Sequence, residues 1–94
     1  MPLFVIQHQD KPGALQLRID TREAHLAYLA EAKGLKVAGP YLNEAGEMVG
    51  SMLVVEAQDM AGAEAFAAAD PYAKAGLFAS SQICQWRHSV GQLP

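Results

Sequence analysis

The sequence predicts an α+β domain with the ferredoxin-like order βαββαβ, in which one antiparallel sheet carries both helices on one face. Short apolar runs of strand length alternate with longer segments of helical spacing, and glycine or proline separates them. A chain of 94 residues has room for one domain, so we treat residues 1–94 as a single domain.

Four segments are predicted as strands. They are Leu3–Ile6, Leu35–Leu42, Met48–Ala57 and a last strand centred on Ser80–Trp86. Gly39-Pro40 interrupts the second segment, and because proline cannot donate a ladder hydrogen bond, a bulge or an edge position is expected there. The polar run Asn43–Glu47 has the composition of a hairpin turn, so the second and third strands are expected to be neighbours.

The first helix has a start signal and a stop signal. Asp20 followed three residues later by Glu23 resembles a capping box, in which two side chains satisfy free backbone N–H groups. We therefore predict a short turn over 14–19 and a helix over 21–33. Gly34 is a typical C-terminal stop.

The second helical region is predicted in two parts. Asp59 is a suitable N-cap for a helix that runs to Ala69, with Ala63 among its core-facing residues. Asp70-Pro71 then ends that helix and starts a short one, because proline fits the first helical position and aspartate the cap before it. Gly76 closes the short helix.

Composition excludes several classes of function. The formal net charge is -3 and lysine and arginine are scattered, which argues against a nucleic-acid surface. No stretch is long and apolar enough to span a bilayer, and the N-terminus lacks the basic segment and apolar run of a signal peptide. We therefore expect a soluble cytoplasmic protein without membrane association.

Apolar residues predict a partner for the sheet. Leu3–Ile6 and Leu53–Val55 place apolar side chains on both faces of their strands, whereas a sheet with one face in water should alternate. The simplest cover for the face without helices is a second copy of the same sheet. The sequence therefore predicts a homodimer that packs through its sheet faces.

Two separated residues form the leading candidate for catalysis. His25 lies in Arg22-Glu23-Ala24-His25, and Asp70 lies in Asp70-Pro71-Tyr72. Histidine changes charge near neutral pH, and a carboxylate in contact with it can fix its tautomer. Arg22, one helical turn before His25, could hold an anionic oxygen. The alternatives are a surface histidine, an aspartate that serves as a helix cap and a solvated arginine.

Three further residues are candidates for substrate binding: Ser51, Tyr72 and His8. Ser51 could donate a hydrogen bond, and its alternative is a small residue that permits close packing beside Gly50. Tyr72 could line a pocket or pack as an ordinary tyrosine. His8 ends the first strand and could border a cleft. The three histidines lack the paired spacing of a zinc site, and isolated glycines form no phosphate loop, so no metal or cofactor is expected.

Several short motifs carry a resemblance to a known family. They are Gln9-Asp10-Lys11, Arg22-Glu23-Ala24-His25-Leu26, Gly39-Pro40, Gly50-Ser51 and Ala69-Asp70-Pro71-Tyr72-Ala73-Lys74-Ala75-Gly76-Leu77. The chain resembles the YciI-like (YCII-related) family nearly end to end. The resemblance implies a dimeric α/β-barrel of ferredoxin-like protomers, with His25 and Asp70 at the positions of the family's proposed catalytic partners.

The resemblance also bears on the reaction. One relative removes chloride from a chlorinated hydroxyhydroquinone, while most members have no assigned reaction. The leading hypothesis is therefore a small cofactor-independent acid–base enzyme, an isomerase, lyase or dehydrochlorinase, that acts on a small oxygenated organic molecule. The alternatives are a binding module that holds a metabolite in the same cleft, or a purely structural dimer.

Overall fold

A computed structural model describes residues 1–93 as four strands and three helices. The strands are β1 (Leu3–Asp10), β2 (Leu35–Leu42), β3 (Met48–Glu56) and β4 (Phe78–Trp86), and the helices are α1 (Leu15–Ala30), α2 (Met60–Ala69) and α3 (Pro71–Lys74). All neighbouring strands are antiparallel, in the order β2-β3-β1-β4. The α+β, ferredoxin-like prediction is confirmed.

The apolar core lies between one face of the sheet and the helices. Successive side chains of a strand point to opposite faces, and Ile6 of β1 lies opposite Leu53 of β3 on the face that the helices cover. The fully buried core residues are Phe4, Ile6, Leu53, Val55 and Ala63. Leu29 of α1 and Phe66 of α2 pack against them. Both long helices therefore lie on the same side of the sheet.

The predicted start of the first helix is wrong. Helix α1 begins at Leu15 rather than Thr21, so the predicted turn over 14–19 is mostly helical. Asp20 lies inside the helix and accepts a hydrogen bond from the Gln16 side chain instead of capping it. The chain turns earlier because Gly13 adopts a left-handed conformation with a φ of 71°.

The end of that helix also differs from the prediction. Helix α1 ends at Ala30, where the backbone N–H of Glu31 bonds back to Tyr28 and Leu29. Gly34 lies later, next to the start of β2, where an added Cβ would meet the backbone carbonyl oxygen of Glu56. Gly34 is therefore required for close approach of two chain segments rather than for stopping the helix.

The strands follow the predicted positions with two changes. Strand β1 continues through polar residues to Asp10, because Gln7 and Gln9 lie on the face without helices while His8 points toward them. Strand β2 is an edge strand, as Gly39-Pro40 indicated, although its register shifts lie on either side of that pair. Cys84 lies on β4 and is exposed.

The two caps predicted for the second helical region, Asp59 and Asp70, are confirmed. The Asp59 carboxylate accepts a hydrogen bond from the backbone N–H of Gly62 at 2.9 Å, at the start of α2. Asp70 caps α3, with Pro71 in the first helical position. The longest helix, α1, has 16 residues, and no helix in residues 1–93 is long and apolar enough to cross a membrane.

Candidate active site

The buried polar side chains of the protein lie in one region. Between residues 1 and 93 they are His8, Arg18, His25, Ser51 and Asp70. They come from β1, α1, β3 and the junction of α2 with α3. Buried polar groups are costly without hydrogen bonds, so their grouping marks this region as one built for more than packing.

The two residues proposed as catalytic partners are in contact. His25 Nδ1 lies 2.8 Å from Asp70 Oδ1 and 3.0 Å from Oδ2, although 45 positions separate the residues in the chain. A carboxylate only accepts hydrogen bonds, so Nδ1 must donate its proton. In the neutral ring this leaves Nε2 with the free lone pair, which is the tautomer of a general base.

Asp70 also holds the helix next to it. Its Oδ1 accepts the backbone N–H of Tyr72 at 2.9 Å, so one carboxylate both caps α3 and orients His25. Both predicted interpretations of Asp70, cap and partner of His25, are therefore present in the geometry. The residue is 1% exposed, and these donors offset the cost of burying its charge.

Tyr72 forms the packing surface of the site. Its ring stacks on His25 with centroids 3.9 Å apart, and the Arg18 guanidinium lies over it at 4.7 Å. Burial raises the pKa of Tyr72, while the charges of Arg18 and Arg22 act against that rise. The phenol therefore stays neutral at physiological pH. Its ring packs against the planar groups of His25 and Arg18 and fixes their orientation.

Arg18 connects the helix to two strands. Its Nε and Nη2 donate to the two carboxylate oxygens of Asp10 at 2.7 and 2.9 Å, and Nη2 also donates to Ser51 Oγ at 2.8 Å. Burial acts to lower the pKa of Arg18, but the hydrogen bonds and charge of Asp10 outweigh it and raise the pKa. The guanidinium is a fixed positive charge in the site.

A cavity of about 240 Å³ opens beside these groups. Its polar lining is Arg18, Arg22, His25, Ser51 and Tyr72, and its remaining lining is Leu26, Leu29, Ala38, Gly39, Pro40, Met48 and Leu53. For comparison, a cavity of roughly 150 Å³ holds benzene. The space therefore fits a small substituted ring, with hydrogen-bonding groups on one side and apolar walls on the other.

His8 does not line this cavity, contrary to the expectation that it borders the cleft. It is buried in the same polar region, where Nδ1 lies 2.7 Å from Ser81 Oγ and the ring stacks on Phe78 with centroids 3.7 Å apart. Its Nε2 is buried and has no hydrogen-bond partner within residues 1–93. Strand β1 continues past His8 to Asp10, so His8 lies within the strand rather than at its end. Its ring is buried and does not lie at the rim of the cleft.

Sequence reasoning missed Arg18 and Asp10. The signal was available, because Arg18, Arg22 and His25 have the spacing of one helix stripe. That stripe appears only when α1 begins at Leu15, and the misplaced helix start removed it. Within residues 1–93, no group of three or more histidine, cysteine or carboxylate side chains has the geometry to hold a metal ion.

Comparison with known families shows the family of this chain. The family profile of the YCII-related domain matches residues 2–87. The chain belongs to the YCII-related family. Protein YciI of Escherichia coli is 38% identical over 85 residues, which cover 81% of this chain and 87% of that protein. An uncharacterized protein of Haemophilus influenzae is 36% identical over 86 residues, with the same coverage of both chains.

A solved structure extends the comparison to an enzyme. The 5-chloro-2-hydroxyhydroquinone dehydrochlorinase TftG of Burkholderia phenoliruptrix, in complex with 2,5-dihydroxybenzoquinone, is 42% identical with a TM-score of 0.85. The match covers 93% of this chain and 95% of that one. A Mycobacterium tuberculosis structure at 11% identity and a TM-score of 0.61 shares the fold alone.

The first prediction concerns the Arg18–Asp10 pair, whose side chains are 3% and 5% exposed. Asp10→Asn leaves a buried guanidinium without its counter-charge, so we expect a loss of about 3–5 kcal/mol in the free energy of unfolding, measured with urea. The double variant Asp10→Leu/Arg18→Met should lose less than its two single changes summed, because no buried charge remains unpaired.

The control for this prediction is the Lys36–Glu56 pair, which lies at 4.0 Å with both side chains more than one third exposed. Lys36→Ala should cost about 1 kcal/mol or less. Equal losses for Asp10→Asn and Lys36→Ala would show that the buried pair does not stabilise the fold.

The second prediction is a pH dependence that originates at His8. Burial lowers the pKa of His8 below 6.5, and the charges of Asp70 and Asp10 oppose this only in part. Below pH 6.5 the unfolded chain takes up a proton that the folded chain resists. The contribution of His8 to stability is therefore complete above pH 6.5 and is lost as the pH falls toward its folded pKa.

Urea unfolding at pH 7.5 and pH 5.5 measures this effect. The wild-type protein should lose more stability on acidification than His8→Gln does. His88→Gln, which removes a half-buried histidine that stacks on Trp86 near the C-terminus, should behave like the wild type. An acid-induced loss that His8→Gln leaves unchanged would exclude His8 as its source.

Proposed function

We propose that this protein is a cofactor-independent acid–base enzyme that removes a proton from a small hydroxylated ring. The observation that carries the proposal is the His25–Asp70 contact of 2.8 Å at the wall of a cavity of ring size. The dehydrochlorinase at 42% identity supports it, since that relative acts on a hydroxylated ring compound.

In the proposed reaction His25 is the general base. Its Nε2 takes a proton from a substrate hydroxyl, and the imidazolium that results is stabilised by the Asp70 carboxylate on Nδ1. Before the transfer the pair carries one negative charge, and after it the pair is neutral.

Arg18 and Ser51 are suited to hold the oxygen that becomes negative. Ser51 Oγ accepts from Arg18, so its own hydroxyl proton is free to donate. The Arg18 guanidinium also lines the cavity, so its charge faces the space that a substrate would fill. Donors fixed in advance by Asp10 stabilise a developing oxyanion without rearrangement.

The phenolate or enolate then has two outcomes. The ring carbon that bears the leaving group can take up the proton to give a keto tautomer, and loss of a second hydroxyl proton then drives out the leaving group, so that the substrate loses one proton and one anion overall. The phenolate or enolate can instead take a proton at another carbon, which is an isomerisation. The chloride-eliminating relative favours the first outcome for this chain.

The proposal includes a second copy of the chain. On the sheet face without helices, Val5 lies opposite both Val54 and Cys84, and Trp86 near them is 38% exposed. An apolar sheet face of this kind supports the sequence-based prediction of a homodimer that packs face to face.

The third prediction tests the catalytic pair. Wild-type protein should release chloride from 5-chloro-2-hydroxyhydroquinone or a related chlorinated hydroxylated ring, followed with a chloride electrode. His25→Ala and Asp70→Asn should each lower kcat/KM by about 10²–10⁴-fold. Asparagine retains a cap oxygen for the Tyr72 N–H, so the fold should persist in Asp70→Asn.

The matched control is Asp59→Asn, which makes the same change at the cap of α2. Asp59 does not line the cavity, so turnover should stay within about twofold of wild type, well inside the range of a surface change. Near-normal turnover in folded His25→Ala and Asp70→Asn would remove the proposed roles.

The fourth prediction concerns assembly. Light scattering should give about twice the chain mass of 10.1 kDa for wild type. Met52→Glu places a charge on the open sheet face and should shift the mass toward the monomer. Met60→Glu, on exposed α2, should remain dimeric. A wild-type mass of 10.1 kDa would contradict the dimer.

A further inference from the structure

The charges around the cavity differ in how far they are available to a ligand. Arg18 is held by Asp10 through two hydrogen bonds, and His25 is held by Asp70. Arg22 lines the same cavity with an exposed side chain, and no carboxylate in residues 1–93 forms an ion pair with it. Among the cavity-lining residues, Arg22 alone carries a fixed charge without a partner in the described chain.

Its position on α1 separates this charge from the reacting group. Arg22 is three residues before His25, so it lies on the same helix stripe, about 4.5 Å away along the axis. Its charge is close enough to Tyr72, whose ring stacks on His25, to act against the rise in the pKa of Tyr72. A ligand that fills the cavity would therefore meet His25 at one point and a free guanidinium at another.

Apart from Arg18, His25, Ser51 and Tyr72, the walls around Arg22 are apolar. The neighbouring lining residues Leu26 and Leu29 are apolar, as are Met48 and Leu53 from the sheet. Apolar walls reduce the local dielectric and strengthen the attraction between a guanidinium and an anion. The planar guanidinium also matches the two oxygens of a carboxylate.

We propose that Arg22 makes the cavity selective for hydroxylated ring acids, with the acid group at Arg22 and the reacting hydroxyl at His25. The inference rests on the proposed function, because that function assigns the hydroxyl to His25. It goes further by requiring a second, anionic substituent that does not take part in proton transfer.

A pair of ligands that differ in charge tests the inference without turnover. The probes are 4-hydroxybenzoate and 4-hydroxybenzamide, titrated by NMR. Wild type should bind the acid at least about tenfold more tightly than the amide, a preference that corresponds to about 1.4 kcal/mol. Arg22→Gln should reduce this ratio to near one, and Arg22→Lys should retain part of it. The preference should also weaken with salt, since Arg22 is exposed.

Two controls separate this inference from the proposed function. Arg87→Gln removes an exposed arginine beyond the end of β4 and should leave the ratio unchanged. His25→Asn should lose turnover but keep the preference for the acid. If the wild type prefers the acid but turns over no ring substrate, the proposed acid–base function is wrong and the inference about Arg22 still holds. Equal affinities in wild type, no detectable binding of the acid, or a preference that survives in Arg22→Gln would overturn it.

Discussion

The site depends on one carboxylate. Asp70 lies where α2 gives way to α3, and its two oxygens serve both the backbone of Tyr72 and the ring of His25. The charge is almost fully buried, a state that proteins tolerate when donors surround it. The same contact joins α1 to the other helices, so the hydrogen bond that fixes the tautomer of His25 also fixes how the helices meet. The Asp70 carboxylate therefore serves both the packing of the helices and the orientation of His25.

Helix α1 departs from the usual pattern of an amphipathic helix because of this site. Its buried residues are Arg18 and His25, whereas Ile19 and Leu26 are about half exposed. A helix that only contributed to a core would bury its leucines and isoleucine. Two hydrogen-bonded pairs, one to Asp10 and one to Asp70, attach this helix in place of a continuous apolar stripe. Because these two pairs attach α1 without a continuous row of apolar side chains, the cavity beside Arg18 and His25 stays open.

Local chemistry predicted the parts of the fold that short-range rules govern. The cap at Asp70, the cap at Asp59 and the hairpin after Leu42 follow from side chains that bond to nearby backbone, so the sequence revealed them. Helix α1 was misplaced because Asp20 and Glu23 match a capping pattern that the fold does not use. The contacts of Arg18 with a strand residue eight positions earlier and one 33 positions later depend on tertiary packing, which no local pattern contains. Residue chemistry suggested His25 and Asp70 as a possible pair, and the family resemblance was the argument that placed them in one cleft.

The two buried histidines show how the same side chain acquires different properties. His25 has a carboxylate on one ring nitrogen and a cavity beside it, so the hydrogen bond to Asp70 fixes the tautomer of its neutral ring. His8 has a neutral hydroxyl as its partner and a phenyl ring on its face, and burial lowers its pKa. Of the two rings, only that of His25 lines the cavity of about 240 Å³. The histidine whose tautomer a carboxylate fixes therefore lies beside the cavity, whereas His8 makes the stability of the fold depend on pH.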